Sequence, residues 1–390
     1  MAKPLLLSIL PRPPHPTRDG LAIRNYHLLA GLAEIFRVRA LALKAPHLPS
    51  GEYPAGVEAE EFDQSPRRLR RGWAAAASLV SGRAYPPLLY RSGELVRAAR
   101  AGERPAWTVA HAYHVGPLAL KAEGRRWIDF HNLESQIWER VSRSSPAATA
   151  RWFAGLQEPR IRALEARLAS SFDGLSCVSE PDAEALSRWS SQLQPLVVPN
   201  GVDLARYRFR ETPAGSKTVL FVGDLSWPPN ADAVRWFRSE AWPAIRREHP
   251  DARAEILGRE PPADLLAQSS EDFRLLGEGG DTRPHWEGAA VAVAPLQAAG
   301  GTRLKILEAA ACGVPVVATG IGAEGLKLEP GRDILLADGP EAFARAVSDL
   351  IGDPSRRAAV ARSARSRVEA LYSWPSIARR LADELFRRLS

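Results

Sequence analysis

Short apolar runs alternate with helical patterns along the whole chain. In the first half the runs at Pro4–Leu10, Val38–Leu43, Thr108–His111, Arg126–Phe130, Gly174–Val178 and Leu196–Val198 read as strands. They are nearly continuous in apolar character, as strands covered on both faces are. Helical repeats lie between them, notably at Leu21–Glu34 and Ala148–Ser170. The second half repeats the scheme, with strands expected at Thr218–Val222, Ala254–Leu257, Ala290–Ala294, Val314–Ala318 and Ile334–Leu336. The stretch Ala45–Pro66 is rich in Pro, Gly and Glu and predicts an irregular excursion. Ser355–Ser390 is helical in pattern, with a break at Trp374-Pro375. Such alternation predicts an α/β protein built on parallel sheets.

At 390 residues the chain is long for a single core, and two domains are expected. The boundary falls near P-N-G-V-D (Pro199–Asp203) and the polar stretch that follows, giving domains 1–200 and 201–372 and a terminal helix 373–390. A content of 45% apolar and 25% charged residues excludes a disordered chain. The net charge of +7 is unevenly placed: residues 1–200 hold 26 Lys and Arg against 19 Asp and Glu, and the remainder is neutral. Arg67, Arg68, Arg70 and Arg71 beside Trp73 suit a surface meeting anionic lipid or a phosphorylated acceptor. A solvated arginine-rich face reads equally well. Cys177 and Cys312 form no disulfide framework and have no metal spacing. The opening apolar run is short and closed by Pro11, so it reads as a first buried strand and not a signal peptide. No run approaches the ~18 apolar residues a bilayer span needs. The expected location is therefore cytoplasmic, with any membrane contact peripheral at the inner face.

The most informative stretch is Pro295–Leu326, which passes from a strand through a glycine pair into an amphipathic helix and a second strand. A helix start exposes free N–H groups and a positive dipole end, which favour an anion. Gly300 and Gly301 allow close backbone approach, Thr302 can cap the helix, and Arg303 and Lys305 add fixed charge. Glu308 follows where a carboxylate could accept hydrogen bonds from a ribose diol; pairing with Lys305 on a helix surface is its blander role. A nucleoside diphosphate satisfies the whole set. His131 ends a strand in W-I-D-F-H-N-L-E, where doubly wound sheets present ligands; His111 and His114 compete with it. Gly20, at a helix entry, and Arg24, one turn inside, form a candidate acceptor or phosphate loop, with a plain helix start capped by Asp19 as the alternative. Asn200, Gly201 and Asp203 fit a tight turn at the domain crossing as well as a ligand contact.

Taken together, G-T-R-L-K-I-L-E-A, A-C-G-V-P-V-V-A-T and G-A-E-G-L closely resemble the donor segment of family 4 of the retaining glycosyltransferases (glycosyl transferases group 1). P-N-G-V-D, V-G-D-L-S-W-P-P-N and D-F-H-N-L-E extend the resemblance over almost the full length. It implies the GT-B fold, with two Rossmann-like doubly wound domains facing across a cleft, the second holding a nucleotide-sugar donor and the first an acceptor. It implies donor contacts by Gly300, Gly301, Thr302 and Glu308, joined here by Gly223 and Asn200, and places His131 at the reacting sugar. It also implies a terminal helix that crosses back to the first domain. Two departures stand out. The family's usual first Glu, eight residues before Glu308, is Gly300 here, and the basic pair expected after Val222-Gly223 is missing. Arg303 and Lys305 therefore inherit the task of stabilising the departing diphosphate.

The expectation is a retaining, hexosyltransferase-type enzyme with no cofactor beyond its nucleotide-sugar donor. It would act on a saccharide or lipid-linked acceptor in surface polysaccharide or glycolipid synthesis. With no Asp-x-Asp pair in the chain, a metal-independent reaction is expected. A nucleotide-sugar epimerase of the same architecture is the alternative, needing an acid/base set that only Asp129, His131 and Glu134 offer. A basic nucleic-acid-binding protein is less favoured, because no nucleic-acid motif accompanies the charge.

Overall fold

A computed structural model describes residues 3–16, 19–45, 49–64, 67–144, 148–189, 194–211, 213, 215–277, 280–298 and 303–389. The chain divides into two compact units, Met1–Pro199 together with Trp374–Ser390, and Asn200–Ser373.

In the first unit the strands are β1 (Leu5–Leu10), β2 (Arg37–Lys44), β3 (Val57–Asp63), β4 (Trp107–His111), β5 (Arg125–Phe130), β6 (Gly174–Cys177) and β7 (Leu196–Val197). They form one sheet in the order β3-β2-β1-β4-β5-β6-β7, with every pairing parallel. All six residues of β1 and all five of β4 are buried, which is why their sequence is continuously apolar and not alternating. β3 corrects the expected irregular excursion over Ala45–Pro66. Its sequence V-E-A-E-E-F-D is mostly exposed, so it carries the signature of a solvated edge strand and no apolar run.

The second unit repeats the winding with β8 (Thr218–Val222), β9 (Arg253–Leu257), β10 (Phe273–Gly277), β11 (Val291–Ala294), β12 (Val316–Ala318) and β13 (Leu335–Leu336). Their order is β10-β9-β8-β11-β12-β13, again all parallel. β10, absent from the sequence reading, is likewise an edge strand. In both sheets the winding reverses beside the first strand, between β1 and β4 and between β8 and β11. Ligands of open α/β sheets bind beyond the strand C-termini at this switch point.

The helix Trp374–Arg387 packs on Gly20–Ile35 within the first unit. His27 stacks on Trp374 with ring centroids 4.9 Å apart, and Trp107 Nε1 donates to the Leu385 carbonyl at 2.9 Å. The preceding helix Pro354–Leu371 belongs to the second unit, so the break falls at Tyr372 and Ser373. Among the described residues no helix is long and apolar enough to cross a membrane.

Candidate active site

In the second unit, β8 ends at Val222 and the chain turns through Gly223 and Asp224 into the helix Pro228–Trp236. Beyond β11 the helix Leu304–Cys312 begins after Arg303. It stops at Gly313, whose φ of +85° suits glycine, and a Cβ there would lie 2.3 Å from the Arg210 carbonyl oxygen. The two segments meet where Lys305 Nζ donates to Asn230 Oδ1 at 2.9 Å and lies 3.9 Å from the centre of the Phe221 ring. Gly223 lets them meet: a Cβ there would stand 2.7 Å from that ammonium. Burial, aided by the charge of Arg303 and opposed by Glu308, pushes Lys305 down to about 7. Burial likewise pushes Glu308 up to about 7, against hydrogen bonding with Tyr207 and the charges of Arg206 and Lys305. Acid and base one turn apart on one helix are thus both poised near neutrality.

Arg303 is buried, and its guanidinium donates to the Ile321 carbonyl at 3.4 Å. A further cation went unread in the sequence. Arg259, just past β9, pairs with Asp224 at 2.5 Å, and Asp224 also accepts from the amide and hydroxyl of Ser226. A cation thus stands at the neighbouring strand end, paired with Asp224, although none follows Gly223 in sequence; the signal available was an Arg two positions after an apolar strand. Asn200 opens the unit and is buried, while Asp203 caps the following turn by accepting from the amides of Ala205 and Arg206 at 3.0 Å each. Gly300, Gly301 and Thr302 lie outside the described residues.

In the first unit the switch point gathers a different chemistry. Asp129, on β5, is fully buried and accepts from Arg24 Nε and Nη2, each at 2.8 Å, and from Ser176 Oγ at 2.6 Å. Burial alone would raise this carboxyl; the Arg24 guanidinium and His131 hold it well below the usual carboxylate range. Arg24 also donates to the carbonyls of Val198 and Pro199, at 2.8 and 3.1 Å. The structure thus corrects its expected place in a ligand loop, since the guanidinium is committed to Asp129 and to the chain leaving β7. Gly20 starts the helix, with Asp19 capping it by accepting from the Ala22 amide at 3.1 Å and pairing with Arg12 at 2.7 Å. A second cation, Arg12, sets its charge on both His131 and His114; nothing in the sequence singled it out.

His131 follows β5, is 9% exposed, and sets Nε2 3.0 Å from Asp129 Oδ2. Burial lowers its pKa, so the ring is largely neutral at pH 7. The carboxylate favours the tautomer with the proton on Nε2, which leaves the lone pair on Nδ1. Both ring nitrogens are buried and neither makes a well-formed hydrogen bond among the described residues, Nε2 meeting Asp129 at ion-pair distance only. His111 is wholly buried beside Ser8 Oγ at 3.3 Å, and burial pushes it down to about 3. The next residue, Ala112, holds a positive φ of 89°, a strained conformation for a side-chain-bearing residue. His111, Asp129 and His131 bring ligand atoms within 4.8 Å of one another. They do not fit a metal: both oxygens of Asp129 already accept hydrogen bonds, and the Arg24 guanidinium opposes a second cation. The same commitment removes Asp129 as the base an epimerase would need.

Deeper in this unit, Glu165 accepts from the amides of Glu134 and Ser135, at 2.7 and 3.4 Å, and from Ser135 Oγ at 2.5 Å. It thereby satisfies the start of the helix Glu134–Ser144. Burial pushes Glu165 up to about 8 and Glu134 to about 7.

Two parallel doubly wound sheets, with cations and acid–base groups gathered at the β8–β11 switch point, define a two-domain α/β protein. Comparison with known proteins narrows this. Residues 216–353 match the family described as Glycosyl transferases group 1. The chain is 31% identical to a GDP-mannose-dependent alpha-(1-6)-phosphatidylinositol monomannoside mannosyltransferase of Mycolicibacterium smegmatis, over 95% of each chain. It is 29% identical to a glycogen synthase of Mycobacterium tuberculosis over 58% of this chain, and spans only 57% of that relative's length. The chain belongs to the group 1 glycosyltransferases. Among solved structures, sucrose-phosphate synthase from Thermosynechococcus elongatus superposes with a TM-score of 0.75 at 19% identity over 99% of both chains. Anabaena HepE in complex with UDP-glucose gives 0.66 at 16% identity, over 98% of this chain and 99% of that one. The fold is GT-B.

Proposed function

We propose that the chain is a retaining hexosyltransferase that moves a sugar from a nucleoside diphosphate to an acceptor hydroxyl in glycolipid or surface-polysaccharide synthesis. The observation that carries this reading is the cluster at the β8–β11 switch point, where Lys305, Arg303 and Glu308 stand on the start of one helix. In this reading Glu308 accepts from the ribose hydroxyls, and Arg303 and Lys305 face the diphosphate. The acceptor oxygen bonds to the anomeric carbon on the face that the phosphate leaves. The bond from that carbon to the phosphate oxygen breaks, and the acceptor's proton passes to the leaving oxygen, giving glycoside and nucleoside diphosphate. Charge on that oxygen is what the protein must stabilise, so cations and helix amides matter more than a strong base. His131 Nδ1 offers a lone pair to a sugar hydroxyl. The chain's own cations supply the counter-charge, which makes the reaction metal-independent.

The relative matched over nearly the whole chain is by name GDP-mannose-dependent, so GDP heads the nucleotides to try. The test is thermal stabilisation by GDP, UDP, ADP and TDP in the presence of a chelator, for the wild type and Glu308→Ala. At 100 times Kd a bound nucleotide adds about 2.7 kcal/mol. One nucleotide should stabilise the wild type and lose most of that effect in the variant. Stabilisation by none of the four ends this reading.

We also assign a peripheral membrane contact on the cytoplasmic face to the helix Arg67–Ser81. It exposes Leu69, Trp73 and Val80 on one face, with the Arg91 guanidinium 5.4 Å from the centre of the Trp73 ring, a pairing of apolar and basic groups suited to anionic lipid. Co-sedimentation with phosphatidylglycerol vesicles, weakened in Trp73→Ser and Val80→Ser, checks it; equal sedimentation refutes it.

A further inference from the structure

Lys305 is anchored by neutral groups alone. Its ammonium donates to Asn230 Oδ1 at 2.9 Å and stands 3.9 Å from the centre of the Phe221 ring. Among the described residues it makes no other hydrogen bond or ion pair. Asn230 is itself held firmly. It is 6% exposed and is the third residue of the helix Pro228–Trp236, whose two opening prolines fix the entering backbone. Its Nδ2 donates to the Asp224 carbonyl at 2.8 Å, and its backbone amide donates to the Trp227 carbonyl at 3.0 Å. The side-chain amide can point only one way, because the reverse would set its NH2 against the ammonium and its oxygen against a carbonyl. Asp224 in turn is tied to Arg259 and Ser226. One amide thus joins the loop after β8 to the helix after β11.

The residue type matters to the chemistry. A carboxylate at position 230 would hold the lysine but cancel its charge. An apolar side chain would spare the charge but leave a buried ammonium without an acceptor. An asparagine fixes the ammonium and leaves both its charge and its two remaining N–H bonds to an incoming anion. The loop has no Lys or Arg between Gly223 and Val234, so the cation it positions comes from the helix after β11. We infer that Asn230 is a positioning residue for the transfer reaction, holding Lys305 at the diphosphate through a neutral hydrogen bond, which rests on the glycosyltransferase reading above. A merely structural Asn230 would tie loop to helix and leave the lysine's work unaffected.

The test uses the full chain and calorimetric titration with whichever of GDP, UDP, ADP and TDP stabilises the wild type, and with the parent nucleoside of that diphosphate. Asn230→Ala should weaken the diphosphate about tenfold, the scale of one hydrogen bond to a charged group, and leave the nucleoside within about twofold. In a Lys305→Met background the same substitution should change diphosphate affinity by less than about twofold. Asn230→Asp keeps the shape and adds a charge that pairs with the ammonium. It should weaken the diphosphate by about tenfold or more and again spare the nucleoside, and it decides the matter if the alanine variant does not fold. Equal losses for nucleoside and diphosphate, additive losses with Lys305→Met, or wild-type affinity in Asn230→Asp each overturn the positioning role alone, since the wild type still binds nucleotide. Failure of every nucleotide to bind the wild type overturns the glycosyltransferase reading and the role of Asn230 with it.

Discussion

Arg24 and Asp129, 105 positions apart in the chain, form a two-pronged ion pair with side chains 1% and 0% exposed. Removing one partner of such a pair strands the other charge in the interior, typically at a cost of about 3–5 kcal/mol. Arg24→Met is expected to lose that much in urea unfolding of the first unit; a loss below about 1 kcal/mol would show the pair to be dispensable. The pair also has an acid limit. Because Asp129 is held below the ordinary carboxylate range, its contribution is complete above about pH 4 and is lost as pH falls through its folded-state pKa.

Gly223 controls Lys305 by having no side chain. An alanine Cβ would lie 2.7 Å from the ammonium and 3.0 Å from Asn230 Nδ2. The far end of a lysine can move, so Gly223→Ala should fold with a loss of about 1 kcal/mol or less. It should still weaken nucleotide binding about tenfold by displacing Lys305. In a Lys305→Met background the same substitution should change affinity far less, and fully additive effects in that cycle would contradict the coupling.

Lys305 and Glu308 also predict a change of sign in proton exchange when nucleotide binds. Near pH 8 Lys305 is mostly neutral, because its pKa is near 7; a diphosphate favours the ammonium, so binding takes up protons. Near pH 6 Glu308 is mostly protonated; ribose hydroxyls favour the carboxylate, so binding releases protons. Calorimetry in buffers of different ionisation enthalpy reads this directly. Lys305→Met should abolish the uptake and keep the release, and buffer-independent heats at both pH values would refute the arrangement.

Glu165 makes a stability prediction. Its carboxyl is pushed up to about 8, above the value of an unfolded chain, so the folded state favours the protonated form. The wild type should therefore lose stability as pH rises from about 4.5 to 8. Glu165→Gln, matching the protonated shape, should show a shallower slope, since Glu134 and Glu308 keep theirs, and become the more stable protein above pH 8. Parallel stability curves for the two would sink the assignment.

The sequence carried the interior of both sheets because β1, β4, β8 and β11 are buried on both faces and leave unbroken apolar runs. β3 was hidden for the converse reason: four of its seven residues are exposed, and its acidic pattern resembles a loop. In the donor segment a helix start, its cations and Glu308 were legible because they are contiguous. Arg259 was not, since it meets Asp224 from a neighbouring strand end 35 positions away. Arg12 was not, since it sits in a loop that carries no pattern and is tied there by Asp19. Arg24 was misread for a related reason: spacing placed it on the helix facing the loop, but only the fold shows Asp129 beneath it.

The placement of Trp374–Arg387 on the helix Gly20–Ile35 makes the second unit an insertion within the first. During translation the ribosome must read through all of Asn200–Ser373 before Trp374 can cover His27 and Leu385 can accept from Trp107. The nascent first unit therefore waits, with one helix face and an indole N–H uncovered, while the second can fold to completion. For this chain the order of emergence and the order of completion are reversed.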